Sequence, residues 1–237
     1  MIKVTTMINE KKNAEINERL RSEYRNATAA FLSEWAKAFT GEIPPCRINE
    51  FGIIDESRYD TDNGVLFICK ETNGWKNEDY EAGTLFRGWM AGITKNGLGG
   101  GDHISQHPNM WYNIGRWAIL IENPNASLAE ITKMKSSAVA AIGNIAFTNI
   151  NKARGRKKSK REYLQLAKSK IAGDILRREL EIINPSLVVC CGTYHLVVDM
   201  VPEYIGRMIA MPHPGARKGT FQMLSELHTQ LIQKEEL

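Results

Sequence analysis

Polar side chains follow three apolar segments of this sequence, at the points where buried strands are predicted to end. Residues 70–73 (Lys-Glu-Thr-Asn) follow the first segment, Asn149 lies near the end of the second, and His213 stands between two prolines after the last. A carboxylate can act as a general base or stabilise a cation, and a histidine can donate a hydrogen bond to developing negative charge. An asparagine side chain offers both a donor and an acceptor. These residue types indicate a polar binding or catalytic site.

Four short apolar runs are separated by helical patterns, which predicts a mostly parallel four-stranded sheet with helices on both faces. We therefore predict an α/β fold, a three-layer α/β/α sandwich. Ligands of such sheets bind beyond the carboxyl ends of the strands, where the polar residues lie. The predicted strands are 65–69, 144–150, 187–191 and 207–211.

Residues 10–39 repeat apolar side chains every three or four positions, which predicts a helix that caps the core. A glycine and two prolines end it. No linker divides the chain, so we predict a single domain over residues 1–237 with an N-terminal helical extension over about residues 10–40. The stretch 97–125 is rich in glycine and aromatic residues and is predicted to be an irregular loop over the site.

The composition is that of an ordinary globular protein, with 43% hydrophobic and 24% charged residues. No apolar stretch approaches the roughly 20 residues that span a bilayer, and no signal-peptide core opens the chain, so we expect a cytoplasmic protein without membrane contact. The four cysteines form no CxxC pair and are predicted to be buried free thiols. His103, His107 and Asp102 lack further ligands nearby, so no metal is expected.

The segment from Arg154 to Arg161, RGRKKSKR, places six cations in eight residues although the net charge is only +4. Such a run can be a solvated surface. Its position just after Asn149 also puts it on the rim of the predicted site, where it would contact phosphates. The predicted contacts to a nucleic-acid backbone are Lys70, Lys152, Arg154, Arg156, Lys157, Lys158, Arg217 and Lys218.

Three segments together resemble the uracil-DNA glycosylase superfamily: residues 67–73, 147–152 and 212–215 (Pro-His-Pro-Gly). Their order and strand-end positions match over roughly residues 64–230. The resemblance is closest to the thermostable bacterial branch, which has an aromatic residue and a glycine after the first motif, as in Phe86-Arg87-Gly88. The iron–sulfur cysteines of that branch are missing, so no cofactor is expected.

The resemblance implies hydrolysis of a base–sugar bond in DNA. In that reaction the sugar becomes cationic and the base leaves as an anion. Glu71 would stabilise the cation and orient water, and His213 would donate a hydrogen bond to the leaving base. Asn149, Asn73 and Phe86 would bind the extruded base, with Trp89 and Trp75 as rivals of Phe86 for stacking.

Each of these residues also has a purely structural interpretation. Glu71 could pair with Lys70 or cap a helix, and His213 could be satisfied by a backbone carbonyl. Asn149 could cap its strand, and Phe86 could belong to the core. The sequence leaves these alternatives open.

We therefore predict a monomeric DNA glycosylase-like hydrolase acting on uracil or another damaged base in base excision repair, with single- or double-stranded DNA as its partner. The first alternative is a non-catalytic protein of the same fold that binds nucleic acid, a nucleobase or a nucleotide. The second is a hydrolase or transferase acting on a small nucleotide.

Overall fold

The computed structural model describes residues 2–42, 47–73, 108–155 and 160–235. These ranges contain five strands and eight α-helices. The strands are β1 (Gly52–Ile53), β2 (Val65–Asn73), β3 (Ala146–Gly155), β4 (Leu187–Cys191) and β5 (Met208–Met211). The helices are α1 (Ile2–Ala38), α2 (Pro108–Glu122), α3 (Leu128–Lys133), α4 (Ser136–Ala141), α5 (Lys160–Ala167), α6 (Lys170–Ile183), α7 (Tyr194–Met200) and α8 (Thr220–Glu235).

The strands form one mixed sheet in the order β1-β3-β2-β4-β5. Strands β2 to β5 are parallel to their neighbours, and β1 runs antiparallel to β3. The predicted α/β class is confirmed, but the sheet has five strands instead of four. Strand β1 was missed because two residues are too few to show an alternating pattern. The chain leaves β2 for β3 on one side and later returns to β4 on the other, so the carboxyl ends of β2 and β4 form a topological switch point, where sheets of this kind bind ligands.

Helices pack on both faces of the sheet, as two successive residues of β3 show. The ring of Phe147 lies 5.5 Å from that of Trp111 on α2, whereas the Thr148 hydroxyl donates a hydrogen bond to Glu179 on α6 at 2.8 Å. Successive side chains of a strand point to opposite faces, so α2 and α6 lie on opposite sides. The middle of β2 is fully buried, as expected for a parallel sheet covered by helices.

The N-terminal helix α1 packs along α6, which confirms a helix at this position. Most of the apolar residues that predicted it are buried, among them Leu20, Phe31 and Trp35. The helix begins earlier than predicted, at Ile2. Apolar periodicity marks only the part of a helix that packs against the core, so it understates the length.

Carboxamide side chains form hydrogen bonds with the backbone of the two outermost strands, β1 and β5. On β1, the Asn17 side chain accepts from the backbone N–H of Ile53 and donates to its carbonyl, both at 3.0 Å. On β5, Gln230 accepts from the N–H of Ala210 at 3.1 Å and donates to its carbonyl at 2.9 Å. An amide can imitate a neighbouring strand because it carries one acceptor and two donors. Each edge therefore has fewer unpaired backbone groups at which a second chain could add.

The prediction of an irregular stretch over residues 97–125 is wrong for 108–122, which form α2. Gly115 and the aromatic residues suggested a loop, yet they serve helix packing. A Cβ at Gly115 would lie 1.8 Å from the carbonyl oxygen of Ala138, so only glycine allows α2 to cross α4 this closely. Residues 97–107 lie outside the described ranges.

Three cysteines fall within the described ranges, Cys69, Cys190 and Cys191, and all are buried free thiols, as predicted. Burial raises the pKa of the Cys190 thiol to about 12.

In the described part of the chain, no helix combines the length and apolar character needed to cross a bilayer.

Candidate functional site

The parallel strands β2 to β5 bring several of the predicted site residues, among them Lys70, Asn149 and His213, toward the same end of the sheet. Cys69 of β2 pairs with Asn149 of β3, and Cys191 of β4 pairs with Met211 of β5. Residues 70–73 were predicted to follow β2, but they belong to it, because an apolar pattern marks only the buried part of a strand. Lys70 lies on β2 one residue beyond the level of Cys191 and Met211. It is therefore at the same end of the sheet as His213, which follows β5.

A tight turn sets the orientation of His213. The backbone N–H of Gly215 donates to Nδ1 of His213 at 3.0 Å, and the N–H of Ala216 donates to the His213 carbonyl at 2.8 Å. Because Nδ1 accepts a hydrogen bond, the proton of the neutral ring resides on Nε2. The turn thus gives His213 a free N–H donor at Nε2.

The surroundings of His213 favour its neutral form. Partial desolvation, and then the charge of Lys70, lower the pKa of His213 below its ordinary value of 6.5. The His213 side chain keeps substantial solvent exposure. A neutral imidazole at physiological pH suits a hydrogen-bond donor that must not carry its own charge.

Two residues that the sequence analysis did not select, Gly192 and Thr193, connect the strand ends. Gly192 has φ +71°, and its backbone N–H donates to the carbonyl of Met211 at 2.7 Å. A Cβ at this position would lie 3.3 Å from the backbone nitrogen of His213. The buried hydroxyl of Thr193 donates to the carbonyl of Ile68 at 2.9 Å. A glycine directly after an apolar strand was the available signal, since it often marks a close backbone approach.

Lys70 lies half-buried on β2, three residues before the strand ends, with its ammonium nitrogen 4.6 Å from the centre of the Tyr163 ring. This cation–π contact fixes the charge near the strand ends. The structure therefore places Lys70 at the predicted rim. Its contact with a phosphate stays a prediction.

Asn149 lies on the face of the sheet that carries α2, because it is two residues from Phe147 on the same strand. It is 3% exposed. The next residue on this face, Asn151, accepts from the N–H of Ala153 at 3.0 Å through its side-chain oxygen. The predicted strand end near Asn149 is wrong, because β3 continues to Gly155. The role of Asn149 in base binding stays a prediction.

The prediction that Lys152 contacts a phosphate is wrong. Its side chain is 0% exposed, and its ammonium group lies 2.7 Å from the carboxylate of Glu179 and 2.6 Å from the hydroxyl of Thr148. The Tyr24 hydroxyl donates to the same carboxylate. Lys152 shares the face of Thr148, four residues earlier on β3, and that face is covered by α6. Burial lowers the pKa of the Lys152 ammonium group, and the negative charge of Glu179 opposes this shift.

The remaining predicted cations differ in what the structure describes. Arg217 is exposed, whereas Lys218 forms an ion pair with Glu226 that reduces its availability for phosphate. Strand β2 includes the backbone of Glu71 and Asn73, and β3 that of Arg154. The predictions for these three side chains, and those for Trp75, Phe86, Trp89, Asp102, His103, His107, Arg156, Lys157 and Lys158, lie outside the described residues.

The described ranges contain no group of three or more His, Cys, Asp or Glu side chains that could hold a metal ion.

No protein-family model, no curated protein and no solved structure matches the chain. Any functional assignment therefore rests on the motifs and on the geometry of this site.

We expect Lys70→Met to raise the pKa of His213 toward 6.5, because the substitution removes a nearby positive charge that disfavours the imidazolium ion. Methionine retains the length of the aliphatic stem over Tyr163. An NMR titration of the imidazole C–H resonances measures this pKa. Lys168→Met, at an exposed lysine, is the matched control. An unchanged pKa in Lys70→Met would show that the two groups do not interact.

Proposed function

We propose that this chain hydrolyses the N-glycosidic bond of uracil or another damaged base in DNA, using a site at the carboxyl edge of a glycosylase-like three-layer sandwich. The observation that carries the proposal is the turn at His213, which leaves a neutral imidazole with its Nε2–H available after the last strand. The resemblance of the three strand-end motifs supports the same assignment.

In this hydrolysis each residue would meet one requirement of the reaction. As the bond between the sugar and the base breaks, its electron pair goes to the base, and the Nε2–H of His213 stabilises the resulting anion. Glu71 would stabilise the cationic sugar, orient the water whose oxygen attacks it, and accept the proton that this water loses, while the departing base anion takes a proton from solvent. Asn149 would read the amide-like edge of the base. Lys70 and the basic segment after β3 would hold the phosphates of an extruded nucleotide.

The test is base release from oligonucleotides that carry a single uracil, hypoxanthine, xanthine or thymine mismatch, in single- and double-stranded form. Abasic sites revealed by alkaline cleavage would support the proposal and identify the base. DNA binding without release from any substrate would instead support the non-catalytic alternative.

The small-nucleotide alternative requires a separate comparison. Replacing the cations of residues 156–158 with serine should weaken a DNA enzyme in a salt-dependent manner, because fewer counterions are released on binding. The same replacement should leave the turnover of a small nucleotide unchanged. Free nucleotides are therefore assayed beside the oligonucleotides, with both the original and the substituted chain.

A further inference from the structure

A buried asparagine on α2 holds the turn that carries His213. The Nδ2 group of Asn113 donates to the carbonyl of Pro214 at 2.8 Å, and Asn113 is only 4% exposed. The two residues are 101 positions apart in the chain, so the contact depends on how the fold brings α2 against the turn that follows β5. Removing one partner of such a buried hydrogen bond would leave the other polar group unsatisfied, which is costly.

The surroundings of Asn113 determine which way its amide points. Its Oδ1 accepts from the Thr220 hydroxyl at 3.3 Å and from an Arg116 guanidinium N–H at 3.4 Å. Arg116 is itself 7% exposed and donates to the carbonyl of Met134 at 3.0 Å. Because two donors face the oxygen, the nitrogen of the amide must face Pro214.

The same peptide unit connects Asn113 to His213. The carbonyl of Pro214, which Asn113 holds, and the N–H of Gly215, which donates to His213 Nδ1, belong to one planar amide. A rotation of this plane would break both hydrogen bonds together. Fixing the carbonyl therefore fixes the donor that sets the imidazole tautomer.

The local sequence alone would allow the opposite orientation. Proline followed by glycine at the centre of a turn favours type II, in which the glycine has positive φ. The N–H of Ala216 closes this turn on the His213 carbonyl, yet Gly215 is not among the glycines with positive φ. The central peptide thus has the orientation that the Pro-Gly pair favours less. The hydrogen bond from Gly215 to His213 Nδ1 favours this orientation from within the turn, and a hydrogen bond from outside that holds the Pro214 carbonyl would favour it further.

We propose that Asn113, oriented by Arg116 and Thr220, is a positioning residue that holds the Pro214–Gly215 peptide so that His213 keeps its proton on Nε2. The proposal concerns the ring of His213 and can be tested without a substrate. Its consequence for catalysis rests on the proposed function.

The first test is the tautomer of His213, measured from imidazole ¹⁵N shifts at a pH where the ring is neutral. The unsubstituted chain should show the Nε2–H form. Asn113→Ala should populate the Nδ1–H form as well, because the peptide can then turn its carbonyl toward the ring. An Nε2–H population equal to that of the unsubstituted chain would overturn the proposal.

Two further variants separate positioning from a general loss of stability. Asn113→Asp keeps the acceptor for Arg116 and Thr220 but removes the donor to Pro214, so it should shift the tautomer even if Asn113→Ala does not fold. Asn17→Ala removes another buried asparagine with contacts to backbone, at the far edge of the sheet. Asn17→Ala should leave the tautomer of His213 unchanged, and a shift there equal to that of Asn113→Asp would contradict the proposal.

The catalytic consequence is measured on whichever oligonucleotide releases its base. We expect Asn113→Asp to lower kcat roughly 10- to 100-fold with a smaller change in KM, because a misplaced donor costs transition-state stabilisation more than binding. An unchanged kcat together with a shifted tautomer would refute the catalytic consequence alone. If the unsubstituted chain releases no base, the proposed function fails while the tautomer measurement still decides the role of Asn113.

Discussion

His213→Ala is expected to lower the rate of base release by roughly 10²–10³-fold, the usual effect of removing one preorganised hydrogen-bond donor from a developing anion. The loss should appear mainly in kcat, since the donor acts on charge that forms only as the bond breaks. Single-turnover base release on the reactive oligonucleotide measures it directly. The fold should be preserved, because His213 is exposed and its ring makes its hydrogen bond within its own turn.

The pH dependence gives an independent check of the same assignment. Because the pKa of His213 is lowered, the neutral donor persists below pH 6.5, and base release should decline only at more acidic pH. His195→Ala is the matched control, since His195 is an exposed histidine on α7, and it should retain the full rate. Full activity in His213→Ala would show that another group donates the hydrogen bond to the leaving base. The proposed function would then lose its main support.

Much of the framework was predictable because burial leaves a strong local pattern. The runs 65–69 and 187–191 are continuous apolar segments of strand length, which is typical of parallel strands covered on both faces. The polar residues that follow them reach one edge because parallel strands end on the same side. Local sequence therefore predicted at which end of the sheet these polar residues gather, as it does when propensity and fold agree.

The contacts that define the site depend on residues distant in the chain, and no local pattern reports them. Asn113 reaches Pro214 only after α2 has packed, and the glycine and aromatic content of its segment is typical of a loop. The spacing of Trp111, Ile114 and Ala118 was the available signal for that helix, but Gly115 obscured it. The orientation of the Pro214–Gly215 peptide was less accessible still, because the local turn preference points the other way.

The misassignment of Lys152 shows a second limit. A lysine after a polar strand end and before RGRKKSKR has the sequence context of a phosphate contact. The alternation of side chains along β3 assigns it instead to the face of Thr148. The partner that makes burial tolerable is Glu179, which is 27 residues away on α6. Sequence spacing cannot show that these charges meet.

Lys152→Met is therefore expected to destabilise the fold by about 3–5 kcal/mol, the cost of leaving one member of a buried ion pair without its partner. The carboxylate of Glu179 would retain hydrogen bonds from Tyr24 and Thr148 but lose its counter-charge. Urea denaturation measures the free energy of unfolding. Lys170→Met is the control, because the pair between Lys170 and Asp174 is exposed and should contribute less than about 1 kcal/mol.

A double variant distinguishes the ion pair from simple packing. Replacing both Lys152 and Glu179 with methionine removes both buried charges, so it should be less destabilised than the sum of the two single variants. Additive losses would mean that the charges do not interact. A Lys152→Met chain with unchanged stability but a shallower salt dependence of DNA binding would contradict the buried pair, because that combination is expected of a lysine that contacts phosphate. The two measurements thus separate a lysine that stabilises the junction of α1, β3 and α6 from one that binds DNA.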